Sequence, residues 1–141
     1  MAKPAAYVEA ARTYLGVRWH HLGRDRHGVD CVGLLLAAAD DCAIPHTKPP
    51  PYPRGHRGFD LIAACALIGN EVRIPDAQDG DILLFTDSLF PCHMGIRTTK
   101  HDVPHVIHAH AVRRKVLEEP LIGELERALR KVYRPTAFES N

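Results

Sequence analysis

The chain has almost no net charge. Its 18 Lys and Arg stand against 17 Asp and Glu, which leaves +1 with histidine neutral. Such a balance creates no global field to gather nucleic acid, so no nucleic-acid partner is expected. Long apolar runs are also missing, and no uninterrupted stretch is long enough to span a bilayer. The opening Met1-Ala2-Lys3-Pro4-Ala5-Ala6 has one lysine but no apolar segment after it, so no signal peptide is expected. The four cysteines, Cys31, Cys42, Cys65 and Cys92, form no C-x-x-C pair, which argues against a cysteine-rich zinc knuckle. No H-E-x-x-H is present, and no pair of ligands has zinc-finger spacing. Internal repeats and domain linkers are absent too.

What is present fits one domain over residues 1–141. A chain of this length can bury a real core. Its 45% hydrophobic and 25% charged content is ordinary for a soluble globular protein. A core of that size does not need disulfide staples. A helix is expected over residues 4–15, with Pro4 in the first turn, Gly16 as the stop, and Val8, Ala11 and Leu15 on one face. Residues 17–29 read as a loop and 31–42 as a second helix. Five of the eleven prolines fall between Ile44 and Pro53, which predicts an extended segment. A further helix is expected over about 58–68, then strands at 81–85, 93–98 and 105–112. A helix near 121–129 and a strand at 131–134 close the chain. Helices first and an antiparallel sheet after is an α+β order.

Cys31 stands out within this pattern. It lies in Gly28-Val29-Asp30-Cys31-Val32-Gly33, directly before the apolar run from Leu34 to Ala39. Asp30 is placed to cap a helix, with the cysteine in its first turn. Helix-start N–H groups and the positive end of the helix dipole favour a thiolate there, and thiolates are nucleophiles. Cys42 and Cys65 sit in apolar helical runs and read as small buried hydrophobes, and Cys92 as packing beside His93. His93 and Gly95 share one face of a strand, opposite Met94 and Ile96. His108 and His110 share a face of another. A cysteine on a helix start with histidines on later strands is a papain-type arrangement.

The motifs resemble the NlpC-type cell-wall cysteine peptidases. Tyr14-Leu15-Gly16-Val17-Arg18-Trp19, Gly23 and Gly28-Val29-Asp30-Cys31-Val32-Gly33-Leu34 match the opening of that family. Gly80-Asp81-Ile82-Leu83-Leu84-Phe85 resembles its first core strand, His93-Met94-Gly95-Ile96 its histidine strand, and Ile107-His108-Ala109 its third catalytic position. The resemblance runs over roughly residues 8–133. It implies a papain-like α+β domain with N-terminal helices packed on a small antiparallel sheet, and no cofactor or metal. The implied activity is cleavage of peptidoglycan stem peptides between the γ-linked D-glutamate and the diamino acid. The short length, the proline-rich segment and Val116-Leu117-Glu118-Glu119-Pro120-Leu121 before Tyr133-Arg134-Pro135 look most like the phage-type branch. That branch implies tail-tip proteins as partners, synthesis in the host cytoplasm, and action from the virion tail in the periplasm or cell wall.

The implied roles follow residue by residue. Cys31 is the nucleophile, His93 the acid–base, and His108 the residue that orients His93. The resemblance selects His108 over His110, which ranks as supporting or surface. The oxyanion would be held by the Cys31 N–H and one side-chain donor. Related enzymes use a tyrosine twelve positions before the cysteine; here that position is Trp19, whose indole can donate but not accept. Trp19 as a packing residue has nearly equal weight. Asp30 has two uses, the helix cap and contact with a substrate's free amino end, although Val32 stands where relatives have serine. The run of Arg18, His20, His21, Arg24, Arg26 and His27 suits the carboxylates of an acidic stem peptide or a plain solvated loop. Three alternatives stay open. One is a structural module of a tail tip. Another is an amidase or acyltransferase on the same triad. The third is a zinc site drawn from His101, His105, His108, His110, Cys92 and Asp102.

Overall fold

The structure is a computed structural model. It describes residues 3–49, 51–52, 62, 66–86 and 93–138. Pro4 opens helix α1 (Pro4–Arg12), where its missing N–H costs nothing. Tyr7, Val8 and Ala11 form the buried face of α1. The expected helix ends early: residues 13–16 turn instead, and Gly16 adopts φ +86°. A two-strand hairpin, β1 (Arg24–Asp25) and β2 (Gly28–Val29), lies in what the sequence reads as loop. It delivers the chain into α2 (Cys31–Asp41), whose side chains from Val32 to Ala39 are all buried.

Most of the helix expected over 58–68 falls outside the described residues, as do Cys65 and Cys92. Its expected end is corrected. Ala66 turns with φ +57°, and Ile68 already belongs to strand β3 (Ile68–Val72). The remaining strands are β4 (Ile82–Phe85), β5 (His93–Lys100), β6 (Val103–His110), β7 (Lys115–Pro120) and β8 (Leu129–Pro135). Helix α3 (Gly123–Ala128) precedes β8. The strands form one antiparallel sheet in the order β3-β8-β4-β5-β6-β7. Helices packed on an antiparallel sheet confirm the α+β class.

Alternation along the strands sorts the sheet into two faces. Ile82, Leu84, Met94, Ile96, Ile107, Ala109 and Val116 join Tyr7, Val8 and the buried side of α2 in the main core. Leu83, Phe85, Val106 and Val132 face the other way, with Ala128 of α3. Two anchors fix the frame. The Tyr7 hydroxyl donates to the Leu35 carbonyl at 2.9 Å, tying α1 to α2. Arg12 holds Glu118 of β7 through both carboxylate oxygens at 3.0 and 3.3 Å, and Thr98 of β5 donates to the same group at 2.6 Å. The start of α2 is thereby held against the sheet.

Candidate active site

Cys31 opens α2 because Asp30 stops the preceding extended chain and caps the helix. The Asp30 carboxylate takes the Gly33 N–H on Oδ1 at 2.7 Å. Its Oδ2 takes the Leu22 N–H at 2.9 Å and the Tyr52 hydroxyl at 2.7 Å. Asp30 is 2% exposed, so three protein donors surround a buried acceptor. Gly33 lets the loop close on the helix: a Cβ there would collide with the Gly23 carbonyl oxygen. Leu22 accepts φ +64° in that loop, and the Asp30 carboxylate holds its N–H.

The Cys31 sulfur sits among backbone donors, with the N–H groups of Met94, Val32 and Cys31 itself all favouring the thiolate. Met94 is the neighbour of His93, so the helix start and the beginning of β5 meet at this sulfur. Burial acts in the opposite sense and is larger. Together with the Asp30 charge it pushes the Cys31 thiol up to about 12. Burial likewise holds His93 well below its usual value, assisted by the nearby His108 and His110. The sequence favoured a thiolate from the helix position alone. In the structure desolvation outweighs the helix end, and the unliganded thiol and imidazole both favour their neutral forms.

The histidines come together through sheet register. Ile96 pairs with Ile107, and the same register sets Gly95 beside His108. Gly95 is needed there. A Cβ would meet the Val106 side chain, with the Ile107 carbonyl at 2.9 Å and the His108 Cβ at 3.1 Å. Across that gap His93 Nε2 and His108 Nδ1 lie 2.6 Å apart. His93 and Gly95 do face away from Met94 and Ile96, which are fully buried in the main core. His110 lies next in line, its ring 5.4 Å from that of His108 and its Nδ1 accepting the Arg113 N–H at 3.1 Å.

One contact at the site was not foreseen. His108 Nε2 lies 2.6 Å from Glu119 Oε2 on β7. The sequence reading gave residues 115–120 no strand, so Glu119 had no assigned face. Tyr52, from the proline-rich segment, was also missed. Trp19 is partly buried against the main core, and its backbone N–H donates to the Arg114 carbonyl at 2.8 Å. Of the expected loop cations, Arg26 is engaged with Asp41 at 3.0 Å and lies over the Tyr14 ring at 4.2 Å. Among the described residues, no three His, Cys, Asp or Glu side chains form a group that could hold a metal ion. No helix among them is long and apolar enough to cross a membrane.

Several solved structures share this fold. The NlpC/p60 domain of the peptidoglycan hydrolase SagA is 18% identical with a TM-score of 0.66, over 93% of this chain and 97% of that one. An NlpC/p60 family protein from Bacillus cereus is 17% identical with a TM-score of 0.68, over 94% of this chain but only 40% of its own. An N-acetylmuramoyl-L-alanine amidase from Bacteroides uniformis is 15% identical with a TM-score of 0.63, over 94% of this chain and 98% of its own. A scan of protein-family models and a search of curated proteins gave no match. The chain therefore has the fold of NlpC/p60 domains.

Proposed function

We propose that this protein is a cysteine endopeptidase that cuts peptidoglycan stem peptides at the γ-D-glutamyl–diamino acid bond. The observation that carries this reading is the His93–His108 pair, 2.6 Å apart on β5 and β6, with the Met94 N–H that follows His93 reaching the Cys31 sulfur. His93 turns Nε2 to His108, so Nδ1 is the nitrogen for the Cys31 proton. As the sulfur attacks the scissile carbonyl, its proton passes to His93 Nδ1. The Cys31 N–H and the Trp19 indole hold the oxyanion. The tetrahedral adduct collapses, the C–N bond breaks, and His93 returns the proton to the leaving amine. Water then adds to the thioester with His93 as base, releasing the acid and restoring the thiol.

Asp30 serves as the cap in this scheme, since its carboxylate already receives three donors. The phage-type sequence features support a setting on a virion tail, with tail-tip proteins as neighbours and the periplasm or wall as the place of action. A second reading, an amidase on the same residues, is favoured by the shared fold of the Bacteroides uniformis amidase.

Mass spectrometry of muropeptides after incubation with the protein, beside a Cys31→Ala control, tests both. Products split after γ-D-glutamate support the endopeptidase. Intact stem peptides freed from glycan support the amidase. Muropeptides unchanged by the wild-type protein would overturn both readings and leave a structural module.

A further inference from the structure

Sequential strands β5, β6 and β7 carry His93, His108 and Glu119 on one face of the sheet. His108 pairs with Leu117, so Glu119 is its diagonal neighbour across the strand pair. The contacts run in one line: His93 Nε2 to His108 Nδ1 at 2.6 Å, then His108 Nε2 to Glu119 Oε2 at 2.6 Å. We propose that Glu119 is a positioning residue that sets the tautomers of both histidines and so aims a lone pair of His93 at Cys31. This rests on the proposed roles of Cys31 and His93.

An ionised carboxylate only accepts, so His108 Nε2 must carry hydrogen. A neutral ring has one such hydrogen, which makes His108 Nδ1 an acceptor. His93 Nε2 must then donate to it. That leaves His93 Nδ1 unprotonated, as a base for the thiol requires. Without Glu119 nothing in this line chooses between the two tautomers of His108. With His108 reversed, His93 would hold its own hydrogen on Nδ1 and could not take one from sulfur.

Glu119 stays ionised for this work. Its carboxyl is held below the usual range, chiefly by the hydrogen bond from His108 and further by the charge of Arg113. The same charge acts a second time. When His93 gains the thiol proton, positive charge appears on a buried histidine pair, and the carboxylate at its far end offsets it. Glu118 cannot substitute. It lies on the opposite face of β7, bound by Arg12 and Thr98.

The test is iodoacetamide alkylation of Cys31 across pH 5–10, followed by peptide mass spectrometry, for wild type, Glu119→Gln and Glu119→Asp. Glutamine can still accept from His108 but has no charge, and a charge-assisted bond is roughly twice as strong as a neutral one. Glu119→Gln should lower the rate at neutral pH about tenfold and move the acid limb to lower pH, because His93 becomes a weaker base. Glu119→Asp should recover most of the rate. A Glu119→Gln profile that superimposes on wild type overturns the proposal. Imidazole nitrogen shifts of the wild-type protein give a check that needs no variant. Hydrogen on Nε2 of both His93 and His108 is expected, and hydrogen on His93 Nδ1 at neutral pH overturns it. Neither readout uses peptidoglycan, so a negative muropeptide digest would sink the proposed substrate and leave this result standing.

Discussion

Replacing Asp30 by asparagine should make the protein less stable and its cysteine more reactive. The native carboxylate receives the Gly33 N–H, the Leu22 N–H and the Tyr52 hydroxyl. Asparagine keeps one oxygen for Gly33 but turns an NH2 toward the other two donors. Tyr52 can rotate its hydroxyl and accept instead, whereas the Leu22 N–H cannot. One orphaned donor costs about 1–3 kcal/mol, and the other bonds lose their charge assistance. A total of about 2–4 kcal/mol is expected, or roughly 10 °C in Tm for a domain of this size. The sulfur responds in the opposite direction. The Asp30 charge is second only to burial in holding the Cys31 thiol at about 12, so removing it favours the thiolate. Urea unfolding and iodoacetamide kinetics on the folded variant measure the two effects separately. Stability within about 0.5 kcal/mol of wild type, the range of an ordinary surface change, would refute the capping argument. Alkylation no faster than wild type would refute the electrostatic one.

Two further outcomes bear on the proposed mechanism. His93→Ala should lower wall hydrolysis by about a hundred- to ten-thousand-fold, the usual value of a positioned acid–base group. His108→Ala should cost less and His110→Ala little, and a His110→Ala loss equal to that of His93→Ala would move the orienting role to His110. Trp19→Phe keeps the packing of the ring but removes the indole N–H, so turnover should fall by roughly a hundred- to a thousand-fold with Tm nearly unchanged. Unchanged turnover would assign Trp19 to packing alone.

How much of this was legible in the sequence depended on how local the signal was. The α2 start was legible because capping is local: an Asp before an apolar run fixes where the helix begins, and Gly33 follows from the tight loop. The strand carrying His93 was legible because a period of two separates Met94 and Ile96 from His93 and Gly95. Strand β7 was not. Lys115, Glu118, Glu119 and Pro120 give it a polar, edge-like composition, and its pairing with β6 is a tertiary fact. Its two adjacent glutamates look alike in sequence and do opposite things. Glu118 reaches Arg12 and clamps α1, while Glu119 reaches His108. Only alternation on a strand, once the strand is known, tells them apart. Strand β3 was lost in the same way, because Ile62 and Leu67 suggest a helix running to 68, whereas Ala66 adopts φ +57° and Ile68 already pairs with Pro135.

The charge state of the site was the least legible feature, and it changes how the chemistry must start. A helix-start cysteine argues for a thiolate, since the dipole end and free N–H groups are local and visible in sequence. Desolvation depends on everything packed around the sulfur, which sequence does not show. In the structure burial raises the thiol to about 12 and pushes His93 down, so both terms favour a neutral pair. In the proposed reaction, proton transfer would then accompany attack rather than precede it. The N–H groups of Met94, Val32 and Cys31 are already in place to receive charge on the sulfur. Glu119 lies at the far end of the histidine line, where its carboxylate would offset the charge His93 takes up in the proposed reaction. Under the proposed mechanism, the sulfur would stay a neutral thiol until a carbonyl arrives to draw the proton across.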